Sequence, residues 1–79
     1  MAVEVRWFPT LIKRTRSKQA TTTVQWAAGL SPLSVFIAEG FNRADAESVM
    51  VVVNDSQSEL EHPLQDGDRV EFMVSIQGG

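Results

Sequence analysis

The chain contains no cysteine, which removes disulfides, thiolate zinc sites, thiol nucleophiles and redox motifs together. It has one histidine, His62, so no metal site built on several histidines can form. Long hydrophobic runs are also missing. The longest, Val49–Val53, falls far short of the ~20 residues that cross a bilayer. Residues 1–6 enter an alternating pattern at once, without the apolar segment of a signal peptide. A cytoplasmic protein with no membrane partner is expected. An excess of basic charge is lacking too. Net charge is −3, with +4 in residues 1–20 and −7 in the remainder. Nucleic acid demands a basic face, so it is excluded as the main partner. The basic run Lys13, Arg14, Arg16 and Lys18 is a solvated loop or a contact for an acidic partner.

What is present fits one small globular domain: 79 residues, 43% hydrophobic and 22% charged. A chain this short buries only ~60–65% of its unfolded surface. Its core is thin and leaves little room for an enclosed catalytic site with its own supporting shell. A carrier, a binding module or a subunit is expected rather than an enzyme.

Val3, Val5 and Trp7 alternate with Glu4 and Arg6, the period of a half-buried strand. Pro9 should end it, with Leu11 and Ile12 tucked beneath a loop whose tip is residues 13–19. Residues 21–26 are rich in β-branched side chains and predict a second strand pairing back on the first. The period then changes. Leu30, Leu33, Phe36, Ile37 and Phe41 recur at helical spacing. Ser31 suits the N-cap, Pro32 the first helical position and Gly40 the closing left-handed residue, which predicts a helix over 32–39. Residues 42–47 predict a loop. Val49–Val53 is apolar on both faces and predicts a central strand. Asn54-Asp55-Ser56 is turn chemistry, and residues 58–61 predict a short edge strand. Gly67 sits in a turn, after which Val70, Phe72, Val74 and Ile76 alternate in a last strand. This order predicts an α+β domain: a mixed sheet of about five strands with one main helix packed on one face. Leu33, Phe36 and Ile37 would meet Val5, Trp7, Val70 or Phe72 in the core.

Other constellations offer little chemistry. Asp66 and Asp68 flank Gly67 and are read as turn caps rather than an acid–base pair. Glu59, Glu61 and His62 are read as a surface edge and not a metal cluster. No glycine-rich phosphate loop or serine–histidine–acid arrangement exists. Trp7 and Trp26 lack the basic face that stacking on single-stranded nucleic acid requires.

The last strand runs directly into Gln77-Gly78-Gly79. Two residues without Cβ can thread a narrow channel and take backbone angles closed to others. Together with residues 5–11 (Val-Arg-Trp-Phe-Pro-Thr-Leu), 51–55 (Val-Val-Val-Asn-Asp) and 64–70 (Leu-Gln-Asp-Gly-Asp-Arg-Val), this ending resembles the MoaD/ThiS family of sulfur carrier proteins, relatives of ubiquitin. The outline is nearest to MoaD, the small subunit of molybdopterin synthase. Val74-Ser75 stand where MoaD proteins often carry Pro-Pro, and the ending is closer to ThiS.

The resemblance implies a β-grasp domain over 1–76 and a flexible diglycine tail over 77–79. It implies a terminal Gly79 carboxylate that an adenylyltransferase of the MoeB/ThiF type adenylates. A sulfur donor then displaces AMP to leave a thiocarboxylate, with no metal or cofactor of the carrier's own. Ile76, Gln77, Gly78 and Gly79 would enter the partner's channel, with Met73 on the docking face. The receiving partner would be a MoaE-like large subunit in molybdenum cofactor biosynthesis, or a thiazole synthase in the thiamine pathway. A ubiquitin-like modifier joined to lysines through Gly79, and a binding module that keeps only the fold, stay open.

Overall fold

In the computed structural model, residues 1–74 are described. A five-stranded mixed sheet has the order β2-β1-β5-β3-β4. The strands are β1 (Ala2–Trp7), β2 (Thr21–Gln25), β3 (Val49–Val53), β4 (Ser56–Ser58) and β5 (Arg69–Val74). β1 pairs parallel with β5, and every other pairing is antiparallel. Two helices, α1 (Pro9–Ile12) and α2 (Pro32–Ala38), and a 3₁₀ helix (Arg43–Ser48) complete the described fold. The expected sheet and main helix are both observed.

α2 starts where its sequence requires. Ser31 is extended, its side chain accepts from the Ser34 N–H at 3.3 Å, and Ser34 Oγ accepts from the Ser31 N–H at 3.0 Å. Pro32 costs no hydrogen bond at the first helical position. Gly40 lies beyond the end with φ +100°, a conformation that favours glycine. The buried face of α2 is Pro32, Leu33, Val35 and Phe36. Ile37, expected in the core, is 47% exposed. The helix is two turns long, so one i, i+3 stripe covers the sheet and position 37 falls outside it.

Phe36 and Val35 share one buried cluster with Val3, Val5, Val70 and Phe72 of β1 and β5, whereas Leu33, expected in that cluster, is buried outside it and lines a hollow with Ala46 of the 3₁₀ helix and Leu60. Trp7 and Phe72 stack at 4.4 Å between centroids, as do Phe36 and Phe41, and the four rings form one aromatic block. Packed this way, the rings supply much of the apolar area of a small core.

Three local expectations are corrected. Pro9 ends β1 but opens α1 instead of plain loop, because proline is preorganised for a first helical turn; Leu11 and Ile12 do tuck inward. Residues 42–47 are not loop: Asp45 Oδ2 accepts the Asn42 N–H at 2.9 Å and nucleates the 3₁₀ turns. The short edge strand begins at Ser56 rather than residue 58, because Asn54 and Asp55 both have positive φ (50° and 69°) and close a two-residue hairpin.

Candidate partner-docking face

Of the functional residues expected from the sequence, Met73 is described, near the end of β5. β5 lies in the middle of the sheet, between β1 and β3. Its side chains alternate: Val70 and Phe72 are buried, and Arg69, Glu71 and Met73 belong to the face turned away from α2. Met73, expected on an outward docking face, is half-buried there. Val74 packs against the core. Ile76, Gln77, Gly78 and Gly79, and the tail over 77–79, lie outside the described residues.

Register decides what surrounds Met73. The β3–β5 pairing sets Met73 beside Met50 and Glu71 beside Val52. The parallel β1–β5 pairing sets Glu71 beside Arg6 and Arg69 beside Glu4. The outer face therefore has an apolar end (Met50, Val52 and Met73) at the exit of β5, and alternating charges at its start. Methionine suits such a face, since its unbranched side chain adapts to a partner's surface. Met50 and Val52 escaped the sequence reading. A run of five apolar residues carries no alternation, so only strand register separates Val51 and Val53, which are buried, from Met50 and Val52.

The opposite end of β5 is a locked turn. Asn54 Nδ2 donates to Asp68 Oδ1 at 2.9 Å, Asn54 Oδ1 accepts the Arg69 N–H at 2.9 Å, and Asp68 Oδ2 accepts the Gln65 N–H at 2.8 Å. Asp68 is thus a turn cap, as read from the sequence. A hollow of about 760 Å³ opens here, lined by Asn54, Gln65 and Asp68 and not by Met73. Its Asn54 and Asp68 are already engaged in the turn. Among the described residues, no three acidic or histidine side chains come together to hold a metal. No helix among them is long and apolar enough to cross a membrane.

The basic run is partly structural. Arg14 pairs with Asp45 at 3.2 Å and lies over the Phe41 ring, 5.1 Å from its centroid. The Asn42 N–H, and secondarily Arg14, hold the Asp45 carboxyl below its ordinary value of 3.8, with desolvation pulling the other way. Thr15, fully buried, donates to the Ile12 carbonyl at 2.7 Å and accepts the Lys18 N–H at 2.9 Å.

A model of the ThiS family matches residues 11–79. No curated protein matches the chain. Among solved structures, SAMP1 from Haloferax volcanii is similar at 15% identity and a TM-score of 0.74, over 100% of both chains. The complex of subunits 1 and 2 of molybdopterin-converting factor from Helicobacter pylori contains a chain similar at 21% identity and a TM-score of 0.65, again over 100% of both chains. Urm1 from Trypanosoma brucei is similar at 19% identity and a TM-score of 0.67, over 99% of this chain and 95% of its own. These likenesses establish the fold as the ubiquitin-like β-grasp.

Proposed function

The chain belongs to the ThiS family of ubiquitin-like sulfur carriers, and on that premise we propose that it is charged with sulfur at Gly79 by a partner enzyme. The observation that carries this reading is the extent of the family match, which runs through Gly78 and Gly79.

A carboxylate is a poor electrophile. In this reading an adenylyltransferase of the MoeB/ThiF type binds the Met73, Met50 and Val52 face and draws Ile76, Gln77 and Gly78 into its channel. A Gly79 carboxylate oxygen attacks the α-phosphate of ATP, and pyrophosphate leaves. Sulfide sulfur then attacks the carbonyl carbon, and AMP leaves with the bridging oxygen. The product is a thiocarboxylate. The chain acts as carrier and not as enzyme, because the nucleotide site and catalytic groups belong to the partner. The thiocarboxylate then delivers sulfur for molybdopterin through a MoaE-like large subunit. The ending Val74-Ser75-Ile76-Gln77-Gly78-Gly79 favours a second reading, delivery to a thiazole synthase.

Intact mass after incubation with ATP, sulfide and an adenylyltransferase tests the proposal. Exchange of one oxygen for one sulfur at Gly79 is the expected result. Adducts that leave a Gly-Gly remnant on lysines of other proteins would establish a modifier instead. A native chain that continues past Gly79 without being trimmed would remove the reactive carboxylate and the proposal with it. Supplying the charged protein to a MoaE-like subunit or to a thiazole synthase separates the two pathways.

A further inference from the structure

β2 closes one side of the sheet, and no described strand lies beyond it. The Trp26 N–H bonds the Met1 carbonyl at 3.0 Å and the Trp7 N–H bonds the Ala20 carbonyl at 2.8 Å. By ladder alternation, Thr22 and Val24 turn their backbone groups to β1, and Thr21, Thr23 and Gln25 turn theirs to the open edge. Exposed edges are usually blunted by charge, proline or a bulge. β2, Thr-Thr-Thr-Val-Gln, carries no charge and no proline.

A groove of about 450 Å³ runs between this edge and α2, lined by Thr22, Val24, Leu30, Val35 and Ala38. The Thr22 hydroxyl is shielded from solvent and has no hydrogen-bond partner among the described residues. Ser17 lines one end of the groove and brings the basic loop with it. That loop is fastened to the end of α2. Ser17 N–H and Oγ donate to the Glu39 carboxylate at 3.2 and 2.8 Å, and the Arg16 N–H donates to the Glu39 carbonyl at 2.9 Å. Arg14 is engaged by Asp45, but Lys13, Arg16 and Lys18 form no ion pair among the described residues. The groove thus couples an unpaired strand edge and an apolar floor, and at its Ser17 end the Glu39 carboxylate is engaged by Ser17, with Arg16 and Lys18 adjoining in the loop.

We propose that the β2/α2 groove binds an extended segment of a partner protein that adds a strand along β2. Aliphatic side chains at alternate positions would enter the groove, and acidic residues at one end would meet Lys13, Arg16 and Lys18. A second copy of this chain fits less well, because its own β2 is neutral and is flanked by its own basic loop. The groove lies on the helix side of the sheet and the Met73 face on the other. A second protein could therefore hold the domain while its tail is being charged.

The test uses the full-length, ¹⁵N-labelled chain and a synthetic peptide of alternating Val and Ser ending in a run of Asp, together with its reversed sequence. One of the two should shift the amides of Thr21, Thr23 and Gln25 and residues lining the groove, with affinity falling as salt rises. Ala38→Arg, at an exposed position, should abolish binding with the melting temperature retained. Thr23→Pro removes an edge donor and no ladder bond, and should weaken binding as well. Lys13→Ala with Arg16→Ala should weaken it about tenfold and flatten the salt dependence. Shifts confined to residues 13–18 or centred on Met73 would overturn the proposal. So would binding of neither peptide, or concentration-dependent shifts at β2 without peptide, which would mean pairing between copies.

Discussion

Phe72 and Met73 are neighbours in β5, and their alternation makes a sharp test of the docking face. Phe72 is fully buried, with its ring 4.4 Å from that of Trp7 and 5.5 Å from that of Phe36. Phe72→Ala removes this ring and leaves a cavity, a change that costs about 3–5 kcal/mol in comparable cores. A domain of 79 residues has about 4–12 kcal/mol of total stability. The substitution should therefore lower Tm by at least about 12 °C and can unfold the protein at ambient temperature. Met73→Ala removes a half-buried side chain from the opposite face and should cost about 1 kcal/mol or less. Urea unfolding followed by Trp7 and Trp26 fluorescence measures both. In the sulfur-charging assay, folded Met73→Ala should be charged slowly although its stability is near wild type. Equal destabilisation by the two variants, or a cost below about 1 kcal/mol for Phe72→Ala, would refute the assignment of faces.

Asn54→Ala breaks the bonds to Asp68 and Arg69 and puts alanine at φ 50°; a loss of about 1–3 kcal/mol is expected in urea unfolding. Asn54→Gly should relieve the backbone strain but restore only part of that loss, because the two side-chain bonds stay absent. The Asp45 carboxyl titrates below 3.8 in the folded protein; its contribution is complete above that value and disappears as pH falls through the lowered one. Asp45→Asn should therefore flatten the acid limb of a stability–pH profile below about pH 4 while leaving its shape at neutral pH unchanged. Deleting Gly79 should prevent sulfur incorporation in the mass assay with a Tm within about 1 °C of the full chain. A large drop would place the terminal residue in the fold's packing.

Elements whose signal is local were legible in the chain itself. Ser31-Pro32 and Gly40 bracket α2, Val3, Val5 and Trp7 mark β1, and Asn54-Asp55 and Gly67 mark turns, because capping, alternation and positive φ are properties of a few consecutive residues. The terminal Gly78-Gly79, through which the family match runs, was equally readable as part of the family's pattern. Failures came where long-range contact decides. Ile37 has helical spacing but falls outside the stripe that a two-turn helix can lay on the sheet. Arg43–Ser48 fold as 3₁₀ turns capped by the Asn42–Asp45 contact, with Arg14 arriving from another loop. Only the pairing of β3 with β5 separates Met50 and Val52 from Val51 and Val53. Likewise, only the position of β2 at the sheet's end turns three threonines and a basic loop into an edge beside a groove. Short-range stereochemistry chose the elements. Which side chains meet was left to strand register and helix placement, since those depend on burying one shared core.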